Sequence, residues 1–228
     1  MRGKIYSLTY EQCKEMILNY NYLKRMPSIS FAYGWVIDNE LKAICTFGKP
    51  ASDSLCRCIC GDEYKDKVFE LNRLVTKDKI ENISSFVSNC LKRLKYKNII
   101  IVSYADTSMG HLGIIYQACN FIYTGVTKER TDKYVTNGKH SRHYSNKEQH
   151  NERLIRMPKH RYIYFVCNKT WRKIFKSEFK LEILPHPKGI TQRYEKEYLI
   201  ESQILNTDEN KIYKVQKRKR MPLFEYEA

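Results

Sequence analysis

The feature that most constrains the fold is a buried strand followed at once by a turn, a short helix and another strand. Residues 98–104 read NIIIVSY, an apolar run typical of a strand in the interior of a sheet. After Asp106 and a turn, the chain continues as GIIYQAC, typical of a short helix, and FIYTGVT, typical of a strand. This succession predicts an α/β arrangement.

The rest of the first 190 residues alternates in a similar way. The patterns predict a short N-terminal strand, a helix capped by Thr9, a hairpin of 30–37 and 41–47, a strand at 67–75, a helix capped by Asn82 or Ser84, a strand at 161–167 and a helix from Asn168. Together they predict an α/β (α+β) fold, a mixed sheet with helices on both faces. Residues 1–192 are expected to form this domain, and 193–228 a charged C-terminal extension ending in a basic KRKR tail.

Cysteine usage and hydropathy narrow the class of protein. The 8 cysteines form no CxxC pair, so reduced thiols are expected. The stretch LCRCICG is predicted to be a strand or the lip of a loop, with Cys56, Cys58 and Cys60 on one side as small buried residues rather than metal ligands. The apolar runs are too short to cross a bilayer, and the N-terminus lacks a signal-peptide core. These features predict a cytosolic protein without a membrane segment.

The net charge of +16 points to a polyanionic partner such as DNA, RNA or an anionic surface. The basic residues concentrate in 128–161, which holds ten Lys or Arg and four of the six His against four acidic residues. Its middle, TNGKHSRHYSNKEQH, has no hydrophobic period and is expected to be a mobile loop. The alternative is a solvated lysine-rich face that reflects an AT-rich genome.

Polar residues at the end of the 98–104 strand form the first candidate site. Ser103 and Asp106 occupy this end, where ligands bind in open α/β sheets. Gly110 and Gly113 allow a tight turn or a close approach to a ligand, and His111 between them can accept a proton or bind a metal. The alternatives are that Asp106 caps the next helix and that His111 is an ordinary loop residue.

The strand at 67–75 supplies the second set of candidates. Glu70 can act as a base toward an amine, and Arg73 can hold an anion or pair with Asp106 or Glu70. Strict alternation along a strand predicts that Glu70 and Asn72 share one face and Arg73 takes the other. An ion pair with a purely structural role is the alternative for Arg73.

Three segments of the chain resemble the phage Mom DNA-modification family and, more broadly, the GNAT superfamily of N-acetyltransferases. They are FELNRLVTKDKIENISSFVSNCLKRL, IIIVSYADTSMGHLGIIYQACNFIYTG and KHRYIYF, with FAYGWVIDNELKAICTFGKP upstream, and together they span roughly 30–190. The resemblance implies a centrally splayed sheet that holds acetyl-CoA or a related acyl-CoA. The implied cofactor contacts are Leu74, Val75, Thr76, Lys77, Asn82, Ser84 and Ser85. The superfamily usually has glycines in the phosphate-binding turn, and 77–85 contains none.

The resemblance also implies a chemistry and an acceptor. Tyr116 matches the tyrosine that protonates the departing CoA thiolate, with a tyrosine packed on the sheet as the alternative. Members of the Mom family alter the exocyclic nitrogen of adenine in phage DNA, which protects that DNA from restriction. An enzyme of this kind acts on a flipped or unpaired base. Iron is a possible participant, with His111 and Asp106 as the only named metal candidates.

A nucleic-acid acceptor requires cations for its phosphates and aromatic rings for its bases. The expected phosphate contacts are Lys139, His140, Arg142, Lys159 and Arg161, and the expected stacking surfaces are Tyr33, Trp35, Tyr104 and Tyr134. Two other functions remain open: an acetyltransferase for a protein, RNA or small-molecule amine, and a non-catalytic nucleic-acid-binding protein. The sequence leaves the oligomeric state open, with a homodimer as one option.

Overall fold

The computed structural model describes residues 3–21, 23–134, 151–191 and 201–216. Its α-helices are α1 (Tyr10–Tyr20), α2 (Asp53–Cys60), α3 (Ile83–Arg93), α4 (Ile114–Ala118) and α5 (Lys169–Ser177). Its strands are β1 (Lys4–Ser7), β2 (Phe31–Ile37), β3 (Glu40–Gly48), β4 (Val68–Thr76), β5 (Ile99–Asp106), β6 (Ile122–Val126), β7 (Arg130–Lys133), β8 (Glu152–Arg156), β9 (Lys159–Val166), β10 (Glu201–Asn206) and β11 (Lys211–Gln216). Among the described helices, none is long and apolar enough to cross a membrane.

Seven strands form the main sheet in the order β1-β2-β3-β4-β5-β9-β6. The neighbours β4 and β5 run parallel, and helix α3 provides the crossover between them. The other neighbouring strands of this sheet run antiparallel. Helices cover both faces, so the predicted mixed sheet is confirmed.

The sheet splays apart at its parallel pair. Strands β4 and β5 pair from Val68 opposite Ile100 to Leu71 opposite Ser103, and their pairing stops there. Beyond this point β4 follows β3 and β5 follows β9. We call the opening between the two diverging strands the fork. It confirms the central splay that the sequence resemblance implied.

Each face of the sheet has its own apolar layer. On one face, Phe86, Val87 and Cys90 of α3 pack against Ile99 and Ile101 of β5, and this is called the α3 face. On the other, which we call the α2 face, Ile59 of α2 and Phe175 of α5 pack against Val68, Ile100 and Val102. Alternation along β5 therefore directs Ser103 to the α3 face, and Tyr104 and Asp106 to the α2 face.

A β-bulge in β4 corrects the predicted orientation of Arg73. Arg73 pairs with Thr46 and Leu71 pairs with Phe47, so Asn72 is the extra residue between them. The bulge reverses the alternation, and Arg73 therefore lies on the same face as Glu70 rather than on the opposite one. Strict period-two counting cannot detect an inserted residue of this kind.

The stretch LCRCICG is not a strand or a loop, because residues 53–60 form helix α2. Cys56, Ile59 and Cys60 recur at helical spacing and are buried, and the Ser52 hydroxyl accepts a hydrogen bond from the amide of Leu55. The prediction that these cysteines are small buried residues is confirmed for Cys56 and Cys60, whereas Cys58 is half-buried.

The predicted helix caps have mixed outcomes. Thr9 caps α1, with Gln12 completing a capping box, and Asn168 caps α5 through the amide of Trp171. Neither predicted cap of α3 acts through its side chain. Asn82 precedes α3 in a left-handed conformation with φ 59° and makes no side-chain cap, and Ser84 lies inside the helix.

Four further strands form a second antiparallel sheet in the order β11-β10-β8-β7. Ile204 of β10 is fully buried and pairs with Leu154 of β8. The region expected to be a charged extension therefore contributes a hairpin that pairs with the basic segment. The boundary at residue 192 stays a prediction, and the loop predicted at 136–150 and the KRKR tail lie outside the described residues.

Candidate active site

Two hydroxyl side chains, those of Ser103 and Tyr116, lie on the α3 face at the point where β4 and β5 separate. The buried Ser103 hydroxyl donates to the carbonyl oxygen of Leu71, the last residue of β4 that pairs with β5. Tyr116 of α4 lies close enough to Ser103 for that hydroxyl to act on the pKa of its phenol. Burial raises the pKa of Tyr116 to about 12, so its phenol holds a proton at neutral pH. Ser103 and Tyr116, which the sequence named as separate candidates, are thus brought together at the fork.

Close packing around Gly113 holds Tyr116 in this position. Gly113 precedes α4 with φ 72°, and a Cβ at this position would lie 2.5 Å from Cε2 of Tyr162. The Tyr162 hydroxyl donates to the carbonyl of Leu112, and its ring packs against Tyr116 with centroids 5.4 Å apart. Gly113 therefore serves a close approach between α4 and β9.

Glu70 is the second group that faces the fork. Burial raises the pKa of its carboxyl group, and the charges of Arg73 and Lys159 oppose this shift. Its carboxylate makes no hydrogen bond or salt bridge with the residues that the structure describes. The charge of Glu70 also contributes to the raised pKa of Tyr116, so the two groups interact across the fork. A carboxylate of this kind can act as a general base.

Asp106 caps the turn that follows β5. Its Oδ1 accepts hydrogen bonds from the amide and the hydroxyl of Ser108, at 3.1 and 2.6 Å, and its Oδ2 lies 2.9 Å from Nζ of Lys159. Burial disfavours its charge, but Lys159 and Ser108 hold the pKa of Asp106 below its ordinary value. The capping alternative is confirmed, and Asp106 pairs with Lys159 rather than with Arg73.

His111 lies beside Asp106, and its amide donates to the Asp106 carbonyl at 3.1 Å. Burial lowers the pKa of its imidazole, and the Asp106 charge opposes this shift. Among the described residues, no group of three or more His, Cys, Asp or Glu side chains could hold a metal ion. Both carboxylate oxygens of Asp106 already have partners, so the structure does not support an iron site built on His111 and Asp106.

Arg73 and Asn72 anchor the segment before β2. The Arg73 guanidinium donates to the carbonyl oxygens of Asn72 and Arg25, at 2.6 and 3.0 Å. The Asn72 amide donates to the carbonyl of Ser28, and its oxygen accepts from Thr46. These bonds give Arg73 a structural role, while its charge still acts on Glu70.

The residues predicted to hold the cofactor line the open arm of the fork. Leu74, Val75 and Thr76 pair with β3 on one edge, and their other edge has no strand partner within the described chain. Lys77 points elsewhere, because its Nζ lies 2.9 Å from Oε1 of Glu40. A pocket of about 250 Å³ next to the start of α3 includes Asn82 and Ser85.

Asn82 explains how this turn forms without glycine. It takes the left-handed conformation for which glycine is usually needed, and asparagine tolerates that conformation better than most residues. Ser84 accepts a hydrogen bond from the thiol of Cys119 through its carbonyl oxygen, so its side chain takes no part in that bond.

The predicted nucleic-acid contacts fall into two groups. Lys139, His140 and Arg142 lie outside the described residues. Lys159 and Arg161 are on β9, opposite Asp106 and Tyr104 of β5, and therefore lie next to the fork. Of the expected stacking residues, Tyr33 and Trp35 are buried in the core, whereas Tyr104 and Tyr134 are half-buried.

Two features escaped the sequence analysis. Tyr123 and His160 form a hydrogen bond of 2.8 Å between β6 and β9, at the same end of the sheet as the fork. Arg130 of β7 lies close enough to Tyr104 to lower its pKa against the larger effect of burial. The density of basic residues in 128–161 was the available signal for Arg130, but it did not distinguish one cation from another.

The model of the Mom protein family matches residues 4–188, which is most of the chain. The chain belongs to the Mom protein family. This membership confirms the family resemblance of the sequence. The hairpin of β10 and β11 lies beyond the matched residues. A comparison with curated proteins finds no match.

Solved acetyltransferases resemble the chain in part. A Bacillus subtilis acetyltransferase in complex with CoA is 13% identical with a TM-score of 0.43, and covers 72% of this chain and 99% of its own. An N-acetyltransferase from Staphylococcus aureus is 10% identical with a TM-score of 0.45, covering 73% and 99%. A GNAT family acetyltransferase from Elizabethkingia anophelis with acetyl-CoA bound is 13% identical with a TM-score of 0.43, covering 72% and 97%.

Proposed function

We propose that this member of the Mom protein family is a transferase that moves an acyl-CoA-derived group to the exocyclic amine of adenine in DNA. The observation that carries the proposal is the fork, at which a carboxylate without a partner and a protonated phenol face the same opening. A general base and a general acid on either side of a gap suit acyl transfer between two bound molecules.

The residues along the fork fit an acyl-CoA. The open edge of Leu74, Val75 and Thr76 leaves backbone groups available to a pantetheine arm, in the manner of an added strand. The first amides of α3 lie after the left-handed Asn82, whose side chain does not cap them. Unbonded amides at a helix N-terminus favour phosphate groups. These residues would hold the cofactor, which supplies an acyl group and a thiolate leaving group.

Proton movement is assigned to two side chains. The carboxylate of Glu70 takes a proton from the acceptor amine, for which its raised pKa and its lack of a partner suit it. The protonated hydroxyl of Tyr116, which lies beside Ser103, would supply a proton to the thiolate leaving group. The amine of adenine is a weak nucleophile because its lone pair is delocalised into the ring, so removal of its proton is the demanding step.

DNA is the acceptor favoured by family membership and charge. The formal net charge of +16 suits a polyanion. Lys159 and Arg161 lie next to the fork, where an unstacked base would enter. Modification of this kind would protect the DNA of a bacteriophage from restriction, and it would take place in the host cytosol.

Nucleoside analysis tests this proposal. The wild-type chain and the variants Glu70→Gln and Tyr116→Phe are expressed in bacteria that carry a plasmid, and the plasmid DNA is digested and weighed by mass spectrometry. We expect a deoxyadenosine of increased mass with wild type only. Tyr96→Phe serves as the matched control, because Tyr96 is 72% exposed and precedes β5, at the end of that strand away from the fork. Unmodified DNA together with acylated protein, RNA or small amines would contradict the proposed acceptor.

A further inference from the structure

Two arginines lie beside Tyr104 at the α2 face of the fork. Arg161 of β9 is directly opposite Tyr104 in the sheet. The amide of Thr127 donates to the carbonyl of Lys159, and the amide of Lys159 donates to the Thr127 hydroxyl, so the chain that leads to Arg130 is tied to the start of β9. Burial and the charge of Glu70 raise the pKa of Tyr104, and the charges of Arg161 and Arg130 oppose them. Three strands thus bring one phenol and two guanidinium groups together.

Arg161 is held in a fixed orientation. Its Nε donates to the Thr124 hydroxyl at 2.8 Å, and one of its terminal nitrogens donates to the Thr124 carbonyl at 3.2 Å. Both acceptors are neutral, and no carboxylate pairs with Arg161 in the described part of the chain. Its neighbour Lys159 differs, because Lys159 is paired with Asp106. Arg161 therefore has an oriented guanidinium group whose positive charge is not offset by any described carboxylate.

The positive charge of Arg130 is likewise not offset by a described carboxylate. It pairs in the second sheet with Arg156, whose Nε donates to Asp132 at 2.8 Å. Arg130 itself forms no salt bridge with any described residue. Strand β8 pairs with β7 on one side and with β10 on the other, so the hairpin beyond the family match supports the strand that carries Arg130.

We propose that Arg130 and Arg161 form a clamp for a backbone phosphate of the nucleotide that presents its base to Glu70, with Tyr104 beneath that nucleotide. This inference rests on the proposed function. A guanidinium group binds phosphate through two parallel hydrogen bonds, and one held in place loses less entropy than a flexible lysine. Two positive charges that both act on Tyr104 suit one phosphate placed between them. Binding of that phosphate also fixes the neighbouring base, since one nucleotide carries both groups.

The test measures binding of an adenine-containing single-stranded DNA 12-mer by fluorescence anisotropy at several salt concentrations. Arg130→Ala and Arg161→Ala are compared with Arg153→Ala. Arg153 is on β8, where it pairs with Lys133, so it lies on the opposite face of the second sheet from Arg130 and its partner Arg156. Arg130 is exposed, and its replacement leaves the fold intact even if the loss of Arg161 does not.

We expect each clamp variant to raise Kd about tenfold and to lower the slope of log K against log salt by about one. Arg153→Ala should bind like wild type. Unchanged binding in Arg130→Ala, or an equal loss in Arg153→Ala, would overturn the clamp. Nucleoside analysis of plasmid DNA distinguishes failure of the clamp from failure of the proposed function. If DNA is modified and Arg130→Ala binds normally, the clamp alone fails; if binding depends on the arginines but no nucleoside changes, the proposed function fails.

Discussion

The two faces of the fork differ in how their polar groups are satisfied. On the α3 face, Ser103 and Tyr116 are neutral. Ser103 is buried and donates to the carbonyl oxygen of Leu71, and Tyr116 is half-buried beside it. On the α2 face, Glu70 carries a charge without a partner, while Asp106 and Lys159 pair beside it. Burying a charge without a partner reduces stability, and proteins keep such groups mainly where function requires them.

Under the proposed function, this difference matches the two faces to different partners. The neutral α3 face, with the open edge of β4 and the start of α3, suits a thioester that must be kept from water. The charged α2 face, with Arg130 and Arg161 nearby, suits a polyanionic acceptor. Substitutions that change one face at a time separate the contributions of the two faces.

Glu70→Gln should have the largest effect, because it removes the proposed base without changing the shape of the side chain. We expect kcat to fall by about 10³-fold.

Glu70→Gln should also raise the melting temperature at pH 7. Burial raises the folded-state pKa of Glu70 above its unfolded value, so its contribution to stability is greatest at low pH and is lost as pH rises through the folded pKa.

A second substitution serves as the control for the effects of Glu70→Gln on activity and on melting temperature. Glu182 is exposed, so Glu182→Gln should leave both the activity and the melting temperature unchanged. If Glu70→Gln were less stable than wild type at pH 7, Glu70 would have a favourable partner, and the contrast between the two faces would be wrong.

Tyr116→Phe should lower kcat by about 10²-fold, because it removes the proposed general acid. Loss of the polar contact with Ser103 should lower the free energy of unfolding by no more than about 1 kcal/mol, measured by urea denaturation. The rate loss should shrink with an acyl donor whose leaving thiol has a lower pKa, since such a thiol departs without a proton. An equal loss with both donors would show that Tyr116 only packs on the sheet.

Gly113→Ala should affect stability more than chemistry. The residue has a φ of 72°, and the added Cβ would lie 2.5 Å from Tyr162. We expect the free energy of unfolding to fall by about 2–3 kcal/mol, with a smaller decrease in kcat as α4 shifts. Gly110→Ala provides the matched control, because its φ of 62° is close to that of Gly113, so the two variants share the backbone cost and differ in the contact with Tyr162. Equal losses in the two variants would mean that Tyr162 does not constrain α4.

Asp106→Asn should have the smallest effect, because asparagine can still cap the turn after β5. Loss of the pair with Lys159 should lower the free energy of unfolding by about 0.5–1 kcal/mol at neutral pH. The folded-state pKa of Asp106 is lowered, so wild type loses this stabilisation as pH falls through that pKa, and the variant does not. Stability curves of the two proteins should therefore converge at acidic pH; parallel curves would show that the pair contributes nothing.

The sequence predicted the elements that repeat a single period and missed those that depend on distant contacts. The run at 98–104 and the helix containing Tyr116 were recognisable because their apolar residues recur regularly. The cysteines of α2 alternate with Arg57 and Ile59 over too short a stretch to separate a helix from a strand. The bulge at Asn72 and the pair of Asp106 with Lys159 depend on neighbours that are remote in sequence. Candidate residues could therefore be named from the sequence, but not their pairings.

The most direct test of the central claim, that a thioester enters the fork along the α3 face, is to map amide chemical shifts during titration with acetyl-CoA. We expect the largest chemical-shift changes at Asn72–Thr76 and at the first residues of α3. Residues around the pocket of Lys92, Lys95 and Tyr96, which lies at the other end of α3, should not shift. Changes confined to that pocket, or none at all at saturating acetyl-CoA, would contradict it.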